Sequence, residues 1–398
     1  MIHYPTLASI NNCTGCAACV DSCAQSALKM HYSNDGHLMP VLNVDLCVGC
    51  KICEKTCPVI SKLQYSNDNY NVAYAGWAKS DRLRKTSATA GAFSALAQYV
   101  LDMQGVVFGV TMNGTYAEHI SIQNSEDLHK LQGSKYTQSN ATNSYKSVFN
   151  YLRKGTLVLF SGTGCQVAAL YSFLKNKKYS GKLITVDLIC GGVPSRLLIE
   201  KFIENEPYNI KAIRSFRTKE NGWKAFGFKY NLKIEDINGE IHDYTNKRNL
   251  IIDGFGSGIT NRYSCYRCEF AGDNRMSDFT IGDYWGVTEF PDQIKNGVSA
   301  IIAHNDKAIR VLSSAEDYLE VHETKIEDIK RFNRRLNKCD DRLFKLPERR
   351  YMAKLFSRLS YTTLTKIYAF DFSTKSLWMI YKAYRALVAK ILIDTKKH

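Results

Sequence analysis

The sequence lacks any apolar run near the roughly 20 residues that a membrane-crossing helix needs, which argues against an integral membrane protein. It also lacks, in its first fifteen residues, the basic and apolar regions of a secretory signal; the chain runs directly into cysteines, and a cytoplasmic location is expected. Acidic residues are scarce at the other end: Arg331 to His398 holds seventeen Lys and Arg against five Asp and Glu, and so contributes +12 of the formal net charge of +15. Nothing marks the chain as disordered, since 45% apolar and 23% charged residues is ordinary globular composition. A length of 398 residues allows two or three domains.

Cysteine is plentiful, with thirteen residues, yet their spacing does not suit disulfide loops. Eight fall in two runs, Cys13-Thr-Gly-Cys16-Ala-Ala-Cys19-Val-Asp-Ser-Cys23 and Cys47-Val-Gly-Cys50-Lys-Ile-Cys53-Glu-Lys-Thr-Cys57-Pro58. Three cysteines at intervals of three wrap a chain around one iron–sulfur cube, while the fourth points away to the other cube. Cys13, Cys16, Cys19 and Cys57 are therefore assigned to one [4Fe–4S] cluster, and Cys47, Cys50, Cys53 and Cys23 to a second. Gly15 and Gly49 would let backbone N–H groups approach the sulfurs. Zinc is the competing reading, but zinc sites use pairs of CxxC and not a doubled four-cysteine run ending in Cys-Pro. Asn34-Asp35-Gly36, between short apolar segments, marks a hairpin, and the polar stretch Gln64 to Asn71 reads as a linker. Residues 1–63 are thus expected to form an α+β ferredoxin-like module with two clusters.

From Val72 onward helix-like and strand-like segments alternate. Thr156 to Phe160 is an apolar run followed by Ser161-Gly-Thr-Gly164, a helix pattern over Gln166 to Lys175, and a strand pattern over Lys182 to Ile189. This is a βαβ unit, so residues 72–325 are expected to form an α/β domain with a mostly parallel sheet. Cys165 falls where the first strand gives way to its helix, and Cys190 ends the second strand. Both lie at the sheet edge where α/β folds bind ligands. With Cys265-Tyr-Arg-Cys268 they make four thiolates, enough for a third cluster; the alternative is that Cys165 and Cys190 are small buried apolar residues.

Several separated motifs follow in order: Ser87-x-x-x-Gly91-Ala-Phe-Ser94, Gln132-Gly-Ser-Lys135-Tyr136-x-Gln138-Ser139, Gly162-Thr-Gly-Cys165-Gln166, Asp187-Leu-Ile-Cys190-Gly191-Gly-Val-Pro194-Ser195, and Cys265-x-x-Cys268…Arg275-x-x-Asp278…Ile281-Gly-Asp283-Tyr-Trp285-Gly286. Together they resemble the beta subunit family of coenzyme F-420 hydrogenases and dehydrogenases. The resemblance implies an FAD-containing oxidoreductase in which clusters and flavin exchange electrons, and it favours the third cluster. Under it, the backbone of Gly162, Thr163 and Gly164 would offer N–H groups to a flavin pyrophosphate. Lys135 and Tyr136 would bind flavin or substrate, or else be a surface lysine and a half-buried tyrosine. Arg275 with Asp278 or Asp283 is read as an ion pair, structural or catalytic. Gly164 and Gly191 stand where the family often has proline and histidine, so the substrate does not carry over and no catalytic residue is singled out.

Residues 326–398 read as a basic helical extension, with Cys339 belonging to no constellation. Between Lys375 and Lys397 the basic residues gather on one side of a helical wheel, which makes this segment a candidate for peripheral contact with the inner face of an anionic membrane, or for packing on the main domain or a partner subunit. No nucleic-acid motif accompanies the charge. The expected function is an iron–sulfur flavoprotein oxidoreductase, or its electron-input subunit, served by a redox partner protein or a small-molecule donor. The rival is a flavin-free electron carrier or scaffold subunit.

Overall fold

The computed structural model describes residues 3–62, 71–217, 219, 222–223, 230–245, 249–258, 260–337 and 358–368. Cys339, the segment from Lys375 to Lys397 and nearly all of Gln64 to Asn71 lie outside these residues.

The N-terminal module is built on the expected hairpin, β1 (Leu28–Tyr32) against β2 (Leu38–Leu42), with Leu28 opposite Leu42 and Tyr32 opposite Leu38. Gly36 takes the left-handed φ of 74° that the turn demands. Two short helices, Ala18–Asp21 and Ile52–Thr56, each contain the third cysteine of a run, Cys19 and Cys53.

The main body carries β3 (Val72–Ala78), β4 (Val106–Asn113), β5 (Tyr116–Ile122), β6 (Ser139–Asn140), β7 (Val158–Gly162) and β8 (Leu183–Leu188). After these come β9 (Ile210–Arg217), β10 (Tyr230–Asp236), β11 (Ile241–Asp243), β12 (Phe279–Asp283), β13 (Ser299–Ala303) and β14 (Leu319–Thr324). Among the described residues nine of them form one sheet in the order β14-β3-β13-β12-β8-β7-β4-β5-β6, and β11-β10-β9 form a smaller antiparallel one.

The βαβ reading of β7, the helix Gly164–Leu174 and β8 holds, with Val158 beside Leu183 and Gly162 beside Asp187 in parallel register. The expectation of a mostly parallel sheet does not. Parallel pairing joins β12, β8, β7 and β4 in the centre and β5 to β6, whereas β4–β5, β12–β13, β13–β3 and β3–β14 are antiparallel. The reason lies in the connections. Only Gly114 and Thr115 separate β4 from β5, too few for the crossover that parallel neighbours need.

Strand alternation splits the core in two. Val107, Leu159, Ile184 and Phe279 pack on the helices Ala92–Asp102 and Asp306–Ser314. Val106, Phe108, Val158 and Phe160 pack on Ser144–Arg153 and Gly164–Leu174. Phe108 and Phe160 are almost wholly enclosed, each worth about 2–3 kcal/mol of burial. Cys16 and Ala18 belong to that second core, so the N-terminal module is part of the packing and not a tethered appendage. The described C-terminal pieces also fold back. The helix Ile326–Phe332 brings Ile329 into a core with Ala73 and Ala75 of β3, and Leu364 joins Leu198 and Phe202.

Among the described residues no helix is long and apolar enough to cross a membrane.

Candidate redox site

The module docks through backbone groups around its first cysteine run. Tyr145 Oη donates to Cys16 O at 2.7 Å, and Ser264 Oγ donates to Cys13 O at 3.0 Å. The Asp21 carboxylate accepts from the N–H groups of Asn143 (2.6 Å) and Tyr145 (3.0 Å) at the start of the helix Ser144–Arg153, where the helix dipole favours an anion. Gly15, with φ of 65°, has no room for a side chain, because a Cβ would lie 2.5 Å from Arg262 Nη2. Its N–H points at Cys13 Sγ, 3.4 Å away.

The structure brings several of the sequence-assigned cysteines close to one another. Cys13, Cys16, Cys19 and Cys57 line one small cavity with Leu7, Met30, Pro40 and Ile60, and Cys53 of the second assigned set lines it too. Burial, and then the neighbouring sulfurs of Cys57 and Cys13, push the Cys16 thiol up to about 12. Cys53 is raised by burial and has Cys23, from the other run, and Cys50 as charged neighbours. Cys50 is exposed, as none of the other eleven described cysteines is. Cys47 is partly exposed.

Cys165, Cys190, Cys265 and Cys268 also converge, although they come from three places in the chain. Burial raises the Cys165 thiol, with Cys268, Cys190 and Cys16 as neighbouring charges. Cys265 is pushed to about 12 by burial, with Cys268 and Cys190 beside it. Cys165 occupies the first turn of the helix Gly164–Leu174, where the dipole favours a thiolate. Arg335 ties the loops, donating from Nε to Cys190 O (3.3 Å) and from Nη2 to Cys265 O (3.2 Å). All-sulfur donor sets without oxygen or imidazole are what iron–sulfide cores take.

A cavity of about 350 Å³ opens at the carboxyl ends of β7 and β8, the sheet edge expected to bind ligand. Gly162, Thr163, Lys135, Tyr136, Cys165 and Cys190 line it together, and so does Thr14 from the first cysteine run. Gly164 does not. A Cβ there would meet Arg275 Nη1 at 2.7 Å. Thr163 and Gln166 form a capping box, with Thr163 N donating to Gln166 Oε1 at 3.0 Å, so the helix start is partly satisfied from within.

Lys135 donates to Leu131 O (3.0 Å) and Gln132 O (2.6 Å), and loss of water pulls its ammonium down to about 7. Tyr136 stacks on Phe255 at 4.1 Å between centroids, and burial raises its hydroxyl.

The expected pairing of Arg275 is corrected. Arg275 pairs with Asp187 at 3.1 Å, both buried, because β8 carries Asp187 to the loop before β12. Asp278 instead pairs with Lys307 at 2.8 Å. Asp283 accepts from Arg217 (2.6 Å), Trp223 (2.7 Å) and Thr89 (2.7 Å) on the cavity wall. Arg217, Arg262, Asn333 and Arg335 went unnoticed in the sequence, where isolated basic and amide residues read as surface. Only the position of Arg262, three residues before Cys265, offered a signal.

A mixed-sheet α/β body with an N-terminal module of clustered cysteines defines an iron–sulfur electron-transfer protein. A 4Fe-4S dicluster domain profile matches residues 12–60. Profiles of the coenzyme F420 hydrogenase/dehydrogenase beta subunit match residues 73–145 (N-terminal part) and 155–329 (C-terminal part). The chain belongs to that family. A solved chain from the xenon-derivatised F420-reducing [NiFe] hydrogenase complex of Methanosarcina barkeri is 15% identical, with the match covering 71% of this chain and 91% of that one at a TM-score of 0.45. No curated protein matches.

Proposed function

We propose that the protein is an iron–sulfur flavoprotein oxidoreductase, or the electron-input subunit of one, passing electrons between [4Fe–4S] clusters and an FAD in the 350 Å³ cavity, and then to or from a two-electron substrate. The observation that carries this reading is the shared cavity. Cys165 and Cys190 line it beside Lys135 and Tyr136, and Thr14 places the first cysteine run at the same wall. A flavin supplies the conversion between one-electron and two-electron transfer that such a site needs.

The residues suit a planar, anionic cofactor. Phe93, Tyr136, Phe255 and Trp285 offer aromatic walls, and the backbones of Gly133, Gly162 and Gly192 permit close approach. Lys135 is the cation for an anionic group, since its ammonium donates to two neutral carbonyls. Cys13, Cys16, Cys19 and Cys57 would hold the first cluster; Cys23, Cys47, Cys50 and Cys53 the second; Cys165, Cys190, Cys265 and Cys268 the third. Exposed Cys50 marks the end open to a redox partner protein, and the cavity marks the other.

Anaerobically purified protein should carry about twelve irons, four for each cluster, and release about one flavin per chain on denaturation. Cys165→Ser should lose one cluster and slow flavin reduction by a low-potential donor. Protein that retains its irons but never binds flavin would sink this reading in favour of a flavin-free carrier subunit.

A further inference from the structure

Arg262 is 1% exposed, and its side chain's hydrogen-bond partners are neutral. Nη1 donates to Cys13 O at 3.2 Å and faces Met39 Sδ at 3.3 Å; Nη2 donates to Leu38 O and to Gln138 Oε1, each at 2.6 Å. Among the described residues no carboxylate lies within ion-pair distance of it, unlike buried Arg217 with Asp283 or buried Arg275 with Asp187. A guanidinium cannot shed its proton, and a buried charge without a counter-charge is strongly unfavourable.

Its surroundings supply the missing anions. On one side lies the loop that carries Cys13 and Cys16. Three residues along the chain lies Cys265, whose N–H donates to Arg262 O at 3.0 Å. Ser264 ties the two sides together by donating to Cys13 O at 3.0 Å.

We propose that Arg262 is the shared counter-charge of the first and third iron–sulfur clusters and raises the reduction potential of both. The inference rests on the third cluster assigned above. A cluster with four thiolates carries about −2 and gains a further negative charge on reduction, so an adjacent fixed cation favours the reduced form. The second cluster, held by Cys23, Cys47, Cys50 and Cys53, lies outside this pairing.

The test is a redox titration of the anaerobically purified full chain, followed by electron paramagnetic resonance, with iron counted in every sample. In Arg262→Gln two of the three midpoint potentials should fall together while one stays put, and Arg262→Lys should stay near the wild type. Gln138→Glu is the second variant, in case loss of Arg262 prevents folding. It sets a carboxylate where the amide oxygen now sits, 2.6 Å from Nη2, and should lower the same two potentials. Unmoved potentials in both Arg262→Gln and Gln138→Glu, or equal shifts in all three clusters, would overturn the role of Arg262 while leaving about twelve irons and the third cluster in place. A wild-type count of about eight irons would remove the third cluster, and the shared counter-charge with it.

Discussion

The two groups of cysteine sites are chemically alike and structurally opposite. In the N-terminal module eight cysteines come from two short runs, and the local chain path nearly suffices to gather them. The other four cysteines come from the helix after β7, the loop after β8 and the helix Tyr263–Tyr266 with its following turn, and only the assembled sheet unites them. The first kind is a property of the chain, the second of the fold. Docking joins them, because Cys16 counts both among the ligands assigned to the first cluster and among the core residues beside Phe160.

The sharpest way to separate the two is to remove ligands from one at a time. Cys265→Ser with Cys268→Ser should lower the iron content from about twelve to about eight, and leave the unfolding midpoint close to that of the parent, since the loops around that set are held by Arg335 and the Arg275–Asp187 pair. Cys16→Ser should also remove about four irons and in addition lower the midpoint, because Cys16 sits in the core. Iron analysis and thermal unfolding of the two proteins decide it; equal losses of stability would show that the two regions are not distinguished in this way.

A smaller effect probes the docking itself. Gly15→Ala places a methyl 2.5 Å from Arg262 Nη2 and from Gln138 Nε2, and 2.7 Å from Leu38 O, at a φ of 65°. Left-handed strain plus overpacking should cost about 2–4 kcal/mol in denaturant unfolding. A cost below about 0.5 kcal/mol, the range of ordinary surface changes, would mean that the module does not need this close approach.

What could be read in advance follows the same division. The two cysteine runs, the Asn34-Asp35-Gly36 hairpin and the β7–helix–β8 unit are local patterns, and each is found where spacing or periodicity put it. The sheet was misjudged beyond that unit because β3, β13 and β14 pair through contacts distant in sequence. Arg275 was matched to the wrong aspartate for the same reason: Asp187 lies 88 positions away along the chain. Lys135, Tyr136, Gly162 and Thr163 do share a cavity, whereas Gly164 was drawn in by adjacency alone and serves the packing against Arg275.

The least of the expected effects concerns Lys135, the cavity's cation. Burial lowers its pKa from 10.5 to about 7, since carbonyl partners replace water only in part. Between those values the unfolded chain holds a proton that the fold has released, so stability rises with pH from about 7 to about 10.5. One proton sets a ceiling of about 1.4 kcal/mol per pH unit, and the cavity's access to water keeps the slope below it. Lys135→Met removes the group and should flatten that part of the profile, measured as denaturant stability of both proteins at several pH values in this window. An anion bound beside Lys135 restores its charge, so added flavin should steepen its own loss of affinity as pH rises through the same window. Parallel profiles for the two proteins would mean that Lys135 keeps its proton in the fold and that the cavity is not short of an anion.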